Sequence, residues 1–376
     1  MYARQLQERN KALLLGKTTR SSDLIGQKPP SDVTKSSVIR ILSWTTDNHT
    51  QWPEGTSIFD QCNLPNGNTC ENYIDRKRLK ESDVLFFHAQ AINPRDLPQV
   101  RSPKQKWLFY EFEMPPQTWI QQESLDPIRN VFNLTSTIAF DSHIPILERH
   151  SQCYLSKGRL AKNTKMNVDY AEGKGHRVAW FVSHCDTQSR REKYAEALSK
   201  YIPVDIVGKC GNLTCGHKHK RGNCDETVIN PNYKFYLSFE NSLCQDYVTE
   251  KLWRLLMKPI SAIPIVLGSV DYKKMLPEGT YLDIKDYSSP KMLADHLKLL
   301  DHDDTAFNTF IARKNAVYCL YPGNKTFQES RYHCQLCQYL HDHRDDVSAV
   351  RDVVNFWSTK SRCTDPREYY KGSFDL

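Results

Sequence analysis

The sequence predicts an α/β protein of about two domains, the second built on a mainly parallel sheet. Three observations carry this. Strand-like apolar runs alternate with helical periods between Arg177 and Leu300, the spacing of right-handed strand–helix–strand crossovers. A polar, basic, glycine-containing stretch at 155–176 separates that region from an earlier set of short apolar runs, as an interdomain linker would. The chain of 376 residues is 39% hydrophobic and 25% charged, enough to bury real cores.

Residues 1–36 are polar and rich in Ser, Thr and Lys and read as a stem or linker. A first domain, 37–160, starts with the strand-like run Val38–Leu42. Asp83–Phe87 and Gln105–Tyr110 follow as strands, and Val131–Leu134 and Thr137–Phe140 close this half. A second domain spans 161–345. It has strands at Arg177–Val182, Val204–Val207, Phe235–Phe239 and Ile263–Leu267, with helices at Arg191–Lys200, Tyr247–Met257 and Ser289–Leu300. A tail, 346–376, completes the chain.

The net charge of +7 is modest for this length and suits an anionic ligand better than a nucleic-acid coat. The basic patch Lys218–Arg221 has no interleaved aromatic residues on which bases could stack. No apolar run reaches the roughly 18 residues of a membrane span, and the N-terminus lacks a signal-peptide apolar region.

The 12 cysteines and the Asn-x-Ser/Thr sequons at Asn48, Asn133, Asn212 and Asn324 point instead to an oxidising lumen. Close pairs such as Cys62/Cys70 and Cys210/Cys215 strengthen that reading. An anchor or signal upstream of this chain is therefore expected. Cys210, Cys215, His217, His219 and Cys224, or Cys334 and Cys337, could also be drawn as zinc sites. The first spacing fits no common zinc pattern and encloses a sequon, so disulfides are the better reading.

The most informative stretch is Tyr233–Gly268, YKFYLSFENSLCQDYVTEKLWRLLMKPISAIPIVLG. It reads as strand, polar loop, helix, strand. Glu240, Asn241, Tyr247, Thr249, Glu250 and Lys251 gather where the loop enters the helix. Open α/β sheets bind anionic, often nucleotide-bearing ligands at such a mouth, where backbone N–H groups and side-chain donors converge.

This block resembles the donor-sugar signature of the α1,3-fucosyltransferase family over about thirty positions. Val178–Ser183 followed by Arg191 and Tyr194 is similar to a second family element. Glu113-Met114-Pro115 and Phe132–Thr135 are similar to a third, so the resemblance runs from about Ile41 to Cys337. It implies two Rossmann-like domains facing across a cleft, the glycosyltransferase-B arrangement, with acceptor in the first and donor in the second. It further implies inverting transfer of L-fucose from GDP-fucose to O3 of an N-acetylglucosamine.

Glu113 is then the expected base, with Glu111 a competitor two residues earlier. Arg191 and Lys251 are the expected partners of the pyrophosphate, with Arg190 able to exchange roles with Arg191. Tyr247 and Glu250 are placed for sugar hydroxyls and Asn241 for fucose or phosphate. Glu240 either joins them or only braces the loop, and Ser183 ends a strand facing the pyrophosphate. No cofactor is required on this reading, a divalent cation being at most stimulatory. Asp301–Asp304 reads as a solvated turn.

The resemblance also implies a Golgi lumen location. The loop Gly208-Lys209-Cys210-Gly211 is similar to that of invertebrate core-type members. This favours the N-glycan core as acceptor, with lactosamine antennae as the alternative. The sequence departs from the family at His184, where Asn is usual, and at Leu255-Leu256. It departs again at Ile138–His143, where the family's arginine is absent and Ala139 stands. The last departure leaves open a glycan-binding protein without turnover. A zinc module binding nucleic acid is a further alternative.

Overall fold

In a computed structural model, residues 37–45, 52–119, 124–146, 152–215, 223–319, 325–346 and 349–375 are described. The stem, the sequons Asn48 and Asn324, and the Lys218–Arg221 patch lie outside them.

Two parallel five-stranded sheets organise the chain. The first contains β1 (Val38–Thr45), β2 (Thr69–Tyr73), β3 (Val84–His88), β4 (Lys106–Glu111) and β5 (Leu134–Thr137), in the order β2-β1-β3-β4-β5. A short antiparallel pair joins β6 (Cys153–Leu155) to a strand near residue 318. The second sheet contains β7 (His176–Phe181), β8 (Val204–Val207), β9 (Tyr233–Phe239), β10 (Ile263–Leu267) and β11 (Leu282–Asp283), in the order β11-β10-β9-β7-β8. The outer partner of β6 is β12 (Val317–Cys319).

Read by chain order, both sheets share one topology: the first strand of each lies between the second and third. Strand order therefore reverses at β1/β3 in one sheet and at β7/β9 in the other. Ligands of open α/β sheets bind outside the carboxyl ends of the strands at such a reversal. Strands β3, β4, β9 and β10 are buried along their whole length, as expected for central parallel strands covered on both faces.

The helices follow from their ends. Between β6 and β7 lies α1 (Lys157–Met166), capped by Ser156, whose hydroxyl accepts the Arg159 N–H. The polar linker expected at 155–176 is thus in part a helix, and no residue of that helix is buried. Next come α2 (Arg191–Ser199), after a left-handed Arg190, and α3 (Glu250–Met257). The expected start of α3 at Tyr247 moves to Glu250, because Asp246 is left-handed (φ 63°) and Thr249 is extended.

Ser289 caps α4 (Pro290–His302), with proline at its first turn. Asp303 then caps α5 (Asp304–Lys314). The Asp301–Asp304 run is accordingly a helix–helix junction. Lys234 bonds to the Asp301 carbonyl, and Arg177 pairs with the Asp301 carboxylate at 2.8 Å.

After β12 comes α6 (Lys325–Asp342). Tyr332, Leu336, Cys337 and Leu340 pack in the core of the first sheet, as do Val353 and Trp357, whereas Tyr370 packs in the core of the second. The chain returns to the first sheet near 332 and then crosses back. Apolar spacing alone could not show which core these residues join.

All 12 cysteines are paired. Cys62 joins Cys334 and Cys70 joins Cys337, fastening α6 to the first sheet. Cys153–Cys319 closes the antiparallel pair, and Cys185–Cys210 and Cys215–Cys224 brace the loops after β7 and β8. Cys244–Cys363 ties the loop after β9 to the C-terminal segment. The sequence-adjacent pairs Cys62/Cys70 and Cys210/Cys215 are not bonded to one another. The thiols of both zinc-like sets are consumed in these bonds, including the Cys70 and Cys337 sulfurs beside His341.

Candidate active site

The carboxyl end of the second sheet places Ser183 after β7, and Glu240 and Asn241 after β9, on either side of the strand-order reversal. Ser183 is exposed. Its loop lies against Gly208 (φ +117°), where a Cβ would come within 2.5 Å of the Val182 carbonyl oxygen. Glycine is required there by both conformation and space.

Glu240 is fully buried. Its Oε1 accepts the Thr249 backbone N–H at 2.7 Å, and the Thr249 hydroxyl lies at 3.0 and 2.9 Å from the two carboxylate oxygens. Lys251 Nζ donates to Glu240 Oε2 at 3.1 Å and to Thr249 Oγ1 at 2.6 Å. Glu240 thus fixes the start of α3 and the ammonium at its first turn. Glu250 opens α3, mostly exposed, with Oε1 3.6 Å from Lys251 Nζ.

Arg191 is buried beneath this loop. Nη1 donates to the Phe239 carbonyl at 2.6 Å and Nη2 to the His184 carbonyl at 3.3 Å, while Nε has no hydrogen-bond partner. Burial lowers its pKa, with Glu240 the first of the groups opposing that effect. Arg190 instead pairs with Asp186 at the surface. The guanidinium of Arg191 links the ends of the two strands that flank the reversal. Asn241 is buried too, and its Oδ1 has no hydrogen-bond partner. Ser189 fastens the same loop through the Glu240 and Asn241 carbonyls.

Across from this cluster, the first sheet presents Glu113 just beyond β4. Tyr247 Oη donates to Glu113 Oε2 at 3.1 Å. Ser242 Oγ donates to Gln117 Oε1 at 3.0 Å, and the Phe140 N–H to Asp246 Oδ2 at 3.2 Å. The loop after β9 therefore touches the loops after both β4 and β5. Glu111, the competitor, is fully buried, whereas Glu113 is half-buried.

Two contributors were invisible in the sequence. Asp246, left-handed and partly desolvated, has its carboxyl pKa raised by burial. Arg362 reaches the 138–143 loop from the C-terminal segment, with Nη1 2.7 Å from Asp141 Oδ1, its guanidinium stacked 4.1 Å over Phe356. The loop whose own arginine is absent at Ala139 is thus met by one 221 residues away. Only the neighbouring Cys363 hinted at it, and a cysteine does not reveal its partner.

Comparison with known proteins accords with this geometry. Residues 36–147 match the family model "Fucosyltransferase, N-terminal", and residues 171–357 match "Glycosyltransferase family 10 (fucosyltransferase) C-term". The chain is 32% identical over 316 residues to the glycoprotein 3-alpha-L-fucosyltransferase A of Drosophila melanogaster, covering 83% of this chain and 58% of that protein. It is 33% identical over 323 residues to the alpha-(1,3)-fucosyltransferase C of the same organism, covering 80% of this chain and 70% of that protein. A Homo sapiens 4-galactosyl-N-acetylglucosaminide 3-alpha-L-fucosyltransferase is 31% identical, covering 81% of this chain and 80% of that protein. Matches to both halves, on either side of a cleft between two parallel sheets, establish that the chain belongs to glycosyltransferase family 10, the fucosyltransferases.

Proposed function

We propose that this protein transfers L-fucose from GDP-fucose, with inversion, to O3 of an N-acetylglucosamine, and that the favoured acceptor is the N-glycan core. The observation that carries the reading is the 3.1 Å contact between Tyr247 and Glu113. It brings the half-buried Glu113 carboxylate, just beyond β4, to the loop that meets the donor-binding mouth.

Glu113 takes the proton of the acceptor hydroxyl as the sugar oxygen attacks the anomeric carbon. Attack and departure are in line, so the leaving GDP lies on the far side, toward α3. There the Lys251 ammonium and the first N–H groups of α3 receive the growing charge. Arg191 acts through the loop: its buried charge beneath the Phe239 and His184 carbonyls holds both strand ends and adds positive potential. Asn241, Glu250 and Ser183 face the donor's hydroxyls and phosphates. This division requires no metal at the leaving group, and turnover is expected to persist in EDTA.

The Drosophila relative named for glycoproteins and the human relative named for galactosyl-N-acetylglucosaminide both match most of this chain. Lactosamine antennae are therefore the second reading. A panel of N-glycans with and without an accessible core N-acetylglucosamine, incubated with GDP-fucose and read by mass spectrometry, separates them. Fucose on the core-exposed glycans alone supports the first; fucose on lactosamine alone replaces it. The six disulfides suit an oxidising lumen, and the Golgi is the compartment this function requires. Among the described residues no helix is long and apolar enough to cross a membrane.

A further inference from the structure

We propose that Glu111 is a positioning residue for the reaction: through one buried carboxyl oxygen it holds the turn that aims Glu113 across the cleft. The inference rests on the reading of Glu113 as the base, given above.

Four observations carry it. Glu111 is the last residue of β4 and has no exposed surface. Its Oε1 accepts the backbone N–H of Phe112 at 2.9 Å and that of Glu113 at 2.8 Å. These are the first two N–H groups past the end of the strand, and Glu111 is the last β4 residue in register with β5, opposite Thr137. A carboxyl oxygen receiving both sets the direction in which the chain leaves the sheet, and hence the direction of the Glu113 side chain.

The pocket around Glu111 suits this role and excludes a direct one. A group with no exposed surface cannot reach an acceptor hydroxyl, so the competition between the two glutamates resolves by burial. Its neighbours are the Glu113 carboxyl on the same turn, Thr118 in the following helical turn, and His88 at the end of β3, with Nε2 3.8 Å from Oε1. The Phe112 ring stacks on the His88 ring at 5.4 Å. Burial raises the Glu111 carboxyl to about 8. It is then neutral near pH 7, which leaves its carbonyl oxygen to accept both N–H groups and keeps a second negative charge away from Glu113.

The role is geometric, so it separates by substitution. Glu111→Gln keeps a neutral carbonyl oxygen at the same reach. Glu111→Asp withdraws it by one methylene, and Glu111→Leu removes it. Steady-state kinetics with GDP-fucose and an N-acetylglucosamine acceptor are expected to leave Glu111→Gln within about threefold of wild type. Glu111→Asp and Glu111→Leu should lose about tenfold to a hundredfold in kcat, the scale of a misaimed catalytic group, with the KM for GDP-fucose unchanged. Glu111→Asp supplies the decisive comparison if Glu111→Leu does not fold.

Two results would overturn the proposal: Glu111→Asp turning over at the wild-type rate, or Glu111→Gln falling as far as Glu111→Asp, which would make the carboxyl proton itself the requirement. Glu113→Gln measured alongside keeps the two readings apart. If it retains turnover, the base assignment fails whatever the Glu111 variants do.

Discussion

Tyr247 and Glu113, 134 residues apart and on loops from different sheets, share a hydrogen bond of 3.1 Å across the cleft. The tyrosine is buried and the glutamate half-buried, so the bond orients a carboxylate that water would otherwise leave free to rotate. Hydrogen bonds to charged groups contribute about 1.5–3 kcal/mol. Tyr247→Phe is therefore expected to lower kcat by about ten- to a hundredfold, with a fall in melting temperature no larger than the loss of that one bond. Initial-rate kinetics and a thermal melt check both.

Glu240 and Lys251 should separate by what each variant loses. Glu240 is fully buried and binds three groups of the α3 start, so Glu240→Ala leaves an ammonium and an unclamped helix end. Removing one partner of a buried pair costs about 3–5 kcal/mol. Lys251 is partly exposed, which lowers that figure for Glu240→Ala. The expected outcome is a clear fall in melting temperature. Lys251→Met should unfold closer to wild type but raise the KM for GDP-fucose and lower kcat. Differential scanning fluorimetry with and without GDP reads the difference, since only a variant that binds GDP is stabilised by it.

The sequence made much of this legible, and the reasons are local. Val204–Val207 and Ile263–Leu267 are short β-branched runs bounded by polar or turn residues, and both are strands with those bounds. Ser289 followed by Pro290 marks a helix start that the structure shares. What escaped was long-range. β2, reading Thr-Cys-Glu-Asn-Tyr, has no apolar run and is held by pairing with β1. The cysteines of α6 find partners 267 and 272 residues away. Of the site, the Glu240–Lys251 cluster could be picked out from its strand–loop–helix pattern, and Glu113 from the resemblance to the fucosyltransferase family. The Arg362–Asp141 pair could not, because nothing near either residue encodes the other.

That pair and Cys244–Cys363 form a clasp that binds the C-terminal segment to both cleft loops. The disulfide closes a loop of separation 119, and bonds of this kind contribute about 2–4 kcal/mol. The double variant Cys244→Ser, Cys363→Ser is expected to melt lower by a matching amount and to show a raised acceptor KM. Arg362→Ala should raise the acceptor KM too, with about 1 kcal/mol of stability at stake because Asp141 is largely exposed. Urea unfolding and acceptor titrations test these expectations.

Stability should carry a signature of Glu111 in its pH dependence. The folded carboxyl is raised from 4.5 to about 8 by burial. Between those values the unfolded chain has released a proton that the fold retains. The unfolded state binds fewer protons, so stability falls as pH rises through the window and levels off above it. Asp283, raised to about 6 by burial, adds a slope of the same sign at the lower end. Glu111→Gln removes the Glu111 part alone. Urea unfolding of both proteins at pH 5 and pH 8 is expected to show a smaller loss for the variant, by about 1–4 kcal/mol.

The central claim is that Glu113 is the base for fucosyl transfer at this cleft. The direct measurement is single-turnover formation of fucosylated N-acetylglucosamine product from GDP-fucose by wild type and Glu113→Gln, with GDP affinity determined calorimetrically for each. The account predicts product from wild type, a loss of about a hundredfold or more for Glu113→Gln, and GDP affinities that agree within about twofold. A Glu113→Gln protein that forms product at the wild-type rate would contradict it, as would a wild type that binds GDP and forms none.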